Sequence, residues 1–232
     1  MDLQRIARWL VLVAASAVCV PAPAAAGPSR DTVAHWAYVE TPVSVRTAPR
    51  LGARRTARLL TWTYHGRPET VNVLSWTSDE RRSWVEIRYP GLGPRTGWVP
   101  ARALSRIRTT RQRLVLDRAK LELRLLRNGR IVFRSPVGVG AFGSPTPAGS
   151  YYVRERIEPG APGTVYGALA FGTSAYSPFR TDWPGGGQVG IHGTNQPALI
   201  PGRISNGCVR LPDANVLELG RRLTIGTPLE IR

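Results

Sequence analysis

Cys208 follows a glycine, and His192 lies sixteen positions upstream of it. Between them the chain reads His192-Gly193-Thr194, then a loop broken by prolines and glycine, then Ser205-Asn206-Gly207-Cys208-Val209-Arg210. A thiolate nucleophile needs a neighbouring base and backbone N–H groups aimed at a developing oxyanion. This stretch can supply all three. A free thiol has a pKa of about 8.5, so it needs help to react at neutral pH. The other two histidines, His35 and His65, lie in the N-terminal part, which leaves His192 as the candidate base. A buried thiol acting as a small hydrophobe is the plain alternative. The Ser-Asn-Gly-Cys-Val-Arg run downstream of a His-Gly pair favours chemistry.

The second cysteine, Cys19, sits in an N-terminal run that reads as a removable secretion signal. Arg5 and Arg8 form its positive start, and Trp9 to Val20 is apolar but short for a membrane span. Ala24 and Ala26 fit a small-x-small cleavage site, giving a signal over residues 1–26; an uncleaved anchor is the alternative. Cys208 would then be the lone cysteine of a secreted or periplasmic, wall-associated protein, and an unpaired cysteine in an oxidising compartment needs a reason. The chain carries a net charge of +17, and Lys120 is its only lysine. Such charge suits a solvated surface or attraction to an anionic wall polymer. The basic residues are scattered, and no nucleic-acid-binding motif appears, so nucleic acid is not expected as a partner.

The elements that must position the cysteine begin at Leu114-Val115-Leu116-Asp117. Leu121, Leu123 and Leu125 alternate with polar residues, and Asn128-Gly129 is a strong hairpin signal because both residues tolerate positive φ. Val137 to Gly140 and the turn Ser144-Pro145-Thr146-Pro147-Ala148-Gly149 lead into a strand over Ser150 to Arg154. A long Gly- and Pro-rich stretch follows up to Gly187, with Tyr166, Phe171, Tyr176, Phe179 and Trp183 as packing or groove aromatics. Loops of that length are functional lids or sets of short strands, and both are expected here. Gln188 to His192 reads as a strand ending at His192, residues 194–204 as a loop, and Pro212-Asp213 as a helix start. Thr227 to Ile231 closes with a strand.

Ahead of this domain, residues 31–108 hold short β-rich runs separated by Gly/Pro turns, the pattern of a small barrel or sandwich. Ser44-Val45-Arg46-Thr47-Ala48-Pro49, Ser83-Trp84-Val85-Glu86-Ile87 and Thr96-Gly97-Trp98-Val99 resemble a bacterial SH3-like domain. That resemblance implies wall targeting or a spacer role, and fold alone does not choose between them. Ser105 to Gln112 reads as a basic, polar linker.

Residues 112–232 resemble the catalytic domain of L,D-transpeptidases of the YkuD type, on His-Gly-Thr, Ser-x-Gly-Cys-x-Arg and the upstream Thr-Pro-x-Gly segment. The family usually has histidine where this chain has Asn206. The expected fold is mainly β: a small SH3-like β-barrel, then a β-sandwich-like catalytic domain with one short helix near the C-terminus. The resemblance implies no metal or cofactor. It implies Cys208 as nucleophile and His192 as base, with the Gly193 carbonyl orienting the imidazole. Backbone N–H groups of Gly207 and Cys208, with Asn206, would form the oxyanion hole. Ser205 would hold the loop or touch substrate, and Arg210 would pair with a substrate carboxylate or brace the loop. The implied partners are peptidoglycan stem peptides: a tetrapeptide stem acylates Cys208 with loss of D-alanine, and an amine on another stem then forms a cross-link between diaminopimelates. Water as acceptor would make a carboxypeptidase, and a wall-binding protein without activity is the alternative of a different class. Carbapenem-type inhibitors are expected to acylate Cys208. Papain-like wall enzymes place cysteine before histidine, and sortases space the two much farther apart, so neither pattern fits.

Overall fold

The computed structural model describes residues 33–77, 83–158, 163–179 and 185–232. The expected secretion signal, Cys19 and Trp183 lie outside them. The N-terminal part contributes β1 (Ala34–Tyr38), β2 (Val43–Arg46), β3 (Arg55–Leu59), β4 (Thr70–Trp76), β5 (Trp84–Tyr89), β6 (Gly91–Leu92), β7 (Arg95–Pro100) and β8 (Arg108–Thr110). All but β6 form an antiparallel sheet in the order β3-β2-β7-β5-β4-β1-β8. Val45, Val71, Ile87 and Val99 are fully enclosed in its own core. Trp84 is buried, whereas Trp62 stands exposed.

The stretch expected as a linker is built into this sheet. Arg108 to Thr110 pairs with β1, and the next strand starts at Gln112. The two threonines are β-branched and suit a pleated surface. Arg108 stacks over the rings of Trp36 and Tyr38 at 5.2 and 4.9 Å, so its charge is accommodated on aromatic faces instead of marking a solvated tether.

The remaining strands are β9 (Gln112–Asp117), β10 (Glu122–Arg127), β11 (Arg130–Pro136), β12 (Gly138–Gly140), β13 (Gly149–Ile157), β14 (Ala170–Tyr176), β15 (Gln188–His192), β16 (Gly202–Ser205), β17 (Val209–Arg210) and β18 (Pro228–Ile231). They form a second sheet in the order β11-β10-β9-β18-β13-β14-β15-β17-β12-β16, with β6 pairing to β14. Asn128 and Gly129 take φ of 51° and 71°, the left-handed pair that a tight β10–β11 hairpin requires. One helix, α1 (Asp213–Arg222), buries Val216 and Leu219 against this sheet's core. The fold is mainly β with a single α-helix among the described residues, as the sequence indicated.

The Gly- and Pro-rich stretch and the loop after β15 both contain regular pieces. The Gly- and Pro-rich stretch contains β14, a central strand whose residues from Ala170 to Ala175 are all buried. With both faces covered it shows no polar–apolar alternation to read. The loop over 194–204 carries a 3-10 turn at Pro197–Leu199 and gives its last three residues to β16, which runs parallel to β12.

The two sheets meet along a buried polar seam. Arg154 of β13 forms an ion pair with Glu69, with Nε at 2.7 Å from Oε1 and Nη2 against Oε2. Tyr152 Oη donates to the Thr70 carbonyl at 2.8 Å, and Asn72 Nδ2 donates to the Gly226 carbonyl at 2.7 Å. Trp36 packs against Gly226, where any side chain would collide with it.

Candidate active site

β15 and β17 run parallel, with Ile191 opposite Val209 and His192 opposite Arg210. One step back along that register sets Gly190 beside Cys208. Side chains alternate across a strand. Ile191 and Val209 therefore enter the core, where both are buried, while His192, Cys208 and Arg210 share the other face. A Cβ built on Gly190 would lie 3.5 Å from His192 Cδ2 and 3.8 Å from Cys208 Sγ, so ring and sulfur converge over that glycine. The Gly190 N–H donates to Sγ at 3.4 Å.

The bend before Cys208 depends on Gly207, whose φ of +120° strains any L side chain. A mesh of hydroxyl contacts holds it. Ser205 Oγ donates to the Cys208 carbonyl at 2.6 Å and accepts the Gly207 N–H at 3.1 Å. From the turn after β12, Ser144 Oγ donates to the Asn206 carbonyl and Thr146 Oγ1 to the Gly207 carbonyl, each at 2.9 Å. Thr146 Oγ1 also accepts the Gly140 N–H at 2.9 Å. Gly140 faces the backbone of Ser144 to Thr146 so closely that no Cβ would fit.

His192 is buried, and its Nδ1 lies 2.6 Å from the Gly193 carbonyl oxygen. A carbonyl only accepts, so Nδ1 carries the proton and Nε2 keeps its lone pair. Burial pushes the His192 pKa down to about 4; the Gly193 contact and Asp213 oppose this, and the Arg210 charge adds to it. Burial likewise pushes the Cys208 thiol up, against the Gly190 N–H and the Arg210 charge. At neutral pH the resting pair is a thiol and a neutral imidazole, not a thiolate–imidazolium pair.

Cys208, His192, Gly193, Ser205, Gly207 and Arg210 are thus brought together. Asn206 is exposed at the rim, with its backbone tied to Ser144. The Gly207 N–H, proposed from sequence as an oxyanion donor, is occupied by Ser205 Oγ. Arg210 Nε is buried with no hydrogen-bond partner among the described residues. Sequence reading named no acid beside His192. The fold supplies one: Asp213 Oδ1, at the start of α1, accepts the Thr194 N–H at 3.0 Å and packs on the Cα atoms of Gly193 and Gly167. Ser144 and Thr146 were also missed as loop anchors. Their sequence signal was the Pro-flanked hydroxyls of Ser144-Pro145-Thr146-Pro147.

Two cavities open on the sulfur. One, of about 110 Å³, is bounded by Val165, Ser177, Asn206 and Arg210. The other, of about 300 Å³, is bounded by Tyr64, His65, Ile157 and Phe171. Tyr166, Gln188, His192 and Cys208 line both. The Tyr166 ring meets the His192 ring edge-on at 5.2 Å. Among the described residues, no group of three or more His, Cys, Asp or Glu is placed to hold a metal ion.

Residues 111–231 match the family model of the L,D-transpeptidase catalytic domain, YkuD. A candidate L,D-transpeptidase of Bacillus subtilis, YkuD, is 34% identical over 109 residues, which are 47% of this chain and 58% of the relative. A second, YqjB of the same organism, is 36% identical over 77 residues, 33% of this chain and 40% of that one. The chain thus spans a little over half the length of the first relative and less of the second. Among solved structures, the catalytic domain of an L,D-transpeptidase from E. faecium is 24% identical with a TM-score of 0.38, over 52% of this chain and 96% of that one.

Proposed function

This chain belongs to the L,D-transpeptidase (YkuD) family through residues 111–231, and from that premise we propose that it is a cysteine acyltransferase acting on peptidoglycan stem peptides. Cys208 is the nucleophile and His192 the base. One observation carries the assignment: a neutral imidazole pinned through Nδ1 to Gly193, on the strand beside the cysteine and converging with its sulfur over Gly190. As Sγ attacks the carbonyl at the L-centre of diaminopimelate, its proton passes to His192 Nε2. The tetrahedral oxyanion meets the Cys208 N–H, joined by the Gly207 N–H if that bond turns away from Ser205. The Nε2 proton then goes to the departing amine of D-alanine, leaving a thioester. An acceptor amine attacks the thioester carbon next; the C–S bond breaks and the amine proton returns through Nε2 to the sulfur.

Arg210 faces the smaller cavity with an unpaired buried N–H, which suits a carboxylate on the donor peptide. Secretion after residue 26, wall association, an SH3-like character for residues 31–108 and acylation by carbapenems belong to the same proposal. The test is to incubate the protein with a disaccharide-tetrapeptide, following intact mass and released D-alanine, with Cys208→Ala as control. A cysteine-dependent adduct with D-alanine release is the expected result, and product masses separate cross-linking from hydrolysis. Folded protein that gives neither adduct nor D-alanine overturns the assignment.

A further inference from the structure

The segment joining β3 to β4 belongs by topology to the N-terminal sheet, yet it stands against the second one. Thr63 Oγ1 donates to Glu155 Oε2 at 2.5 Å, and Gln188 Nε2 donates to Glu155 Oε1 at 3.0 Å. His65 Nδ1 lies 3.2 Å from that same Oε1. The Glu155 side chain is wholly enclosed and takes a donor on each oxygen, so it acts as an acceptor and Nδ1 is the protonated nitrogen of His65. In the neutral ring, Nε2 is left as an acceptor, on a side chain that lines the larger cavity beside Cys208. The other walls are Tyr64, Ile157, Tyr166 and Phe171. Tyr64 also packs close to Gly185 and remains 71% exposed.

The two cavities therefore offer opposite chemistry to the sulfur. One presents the Arg210 cation; the other is an aromatic and aliphatic channel with a nitrogen acceptor in its wall. A donor peptide ending in a carboxylate suits the first. An amine on an aliphatic arm, joined to a backbone amide, suits the second: the arm lies on Tyr64 and Phe171, and the amide N–H reaches His65 Nε2. We propose that the N-terminal sheet completes the acceptor side of the site, with Tyr64 and His65 as specificity-determining residues for the incoming amine. This rests on the acyl-transfer reading above. In the step concerned, the amine nitrogen bonds to the thioester carbon, the C–S bond breaks, and the amine proton reaches the sulfur through His192. The N-terminal residues touch only the acceptor.

The test separates the two half-reactions in the full chain. Disaccharide-tetrapeptide serves as donor, and two amines serve as acceptors: Nα-acetyl-lysine amide, which has the arm and the amide, and methylamine, which has neither. Tyr64→Ala and His65→Ala are expected to lower transfer to Nα-acetyl-lysine amide about tenfold, while acylation and transfer to methylamine stay within about twofold. That fold-change corresponds to about 1.4 kcal/mol of transition-state contact. His65→Gln, which keeps a polar tip, is expected to recover part of the loss. Both acceptors transferring at wild-type rates in both variants would overturn the inference alone. Acylation and both transfers falling together would reduce these residues to structural supports and overturn it too. No acyl adduct in the wild-type protein would overturn the parent reading and this one with it.

Discussion

The seam between the sheets and the cleft at Cys208 both bury polar groups, and they treat them oppositely. At the seam, Arg154 and Glu69 are buried and satisfy each other, and the contact with Glu69 holds the guanidinium charged despite its burial. In the cleft, Arg210 Nε has no partner among the described residues, the His192 Nε2 lone pair is left open, and the thiol is held protonated. Burying a charge is tolerable when it is paired and costly when it is not. The Arg154–Glu69 pair resolves that cost within the chain, while Trp36 Nε1 and Thr70 Oγ1 beside it stay unpaired among the described residues, and the cleft leaves Arg210 Nε open to a ligand.

Removing the open base should give the largest effect. His192→Ala is expected to slow Cys208 acylation about a thousandfold or more, by analogy with the loss of a triad base, measured as adduct formation by intact mass. A loss below tenfold would mean that proton transfer goes elsewhere. Breaking the closed region comes next. Glu69→Ala leaves Arg154 buried without its partner and is expected to cost about 3–5 kcal/mol in denaturant unfolding. If the unfolding curve does not move, the seam is not the satisfied pair described here.

The third prediction uses pH. The folded His192 pKa of about 4 lies below the roughly 6.5 of an unfolded histidine. As pH falls from about 6.5 towards 4, the unfolded chain binds a proton that the folded one refuses, so stability is lost across that window. Between pH 7 and pH 5 the loss should be about 2 kcal/mol. His192→Gln should abolish that component, and parallel pH–stability curves for the two proteins would refute the burial argument. The last prediction concerns the loop before Cys208. Thr146→Val removes the hydroxyl that bonds Gly140 and Gly207, and should cost about 1–3 kcal/mol. It should also broaden the reactivity of Cys208 towards iodoacetamide.

What could be read from the chain beforehand follows the range of the interactions. Asn128-Gly129 and the strand ending at His192 were legible because turn chemistry and alternation are local signals. Cys208, His192 and Arg210 were legible because they stand within one short stretch. Glu155 was not singled out: its partners Thr63 and His65 come from the other sheet, ninety or more residues away in sequence. Asp213 was hidden for a different reason: it is nineteen positions from Thr194, and only the fold brings the start of α1 against Gly193. Strands were expected in the stretch that holds β14, but its bounds were not legible, because a strand covered on both faces carries no alternation and its Gly, Thr and Ser content reads as loop.

The order of strands in the second sheet has a consequence for synthesis. β18, the last described strand, does not sit at an edge: it lies between β9 and β13 and, among the described residues, makes the strand pairing that joins the hairpin half of the sheet to the half that carries the cysteine. Four residues, Pro228 to Ile231, make that connection. A chain emerging from its N-terminus therefore holds two half-sheets, each with a bare edge, until Pro228 to Ile231 appear. Cleavage just before Pro228 should return it to that unzipped state, with every residue of the cleft still present and its support gone.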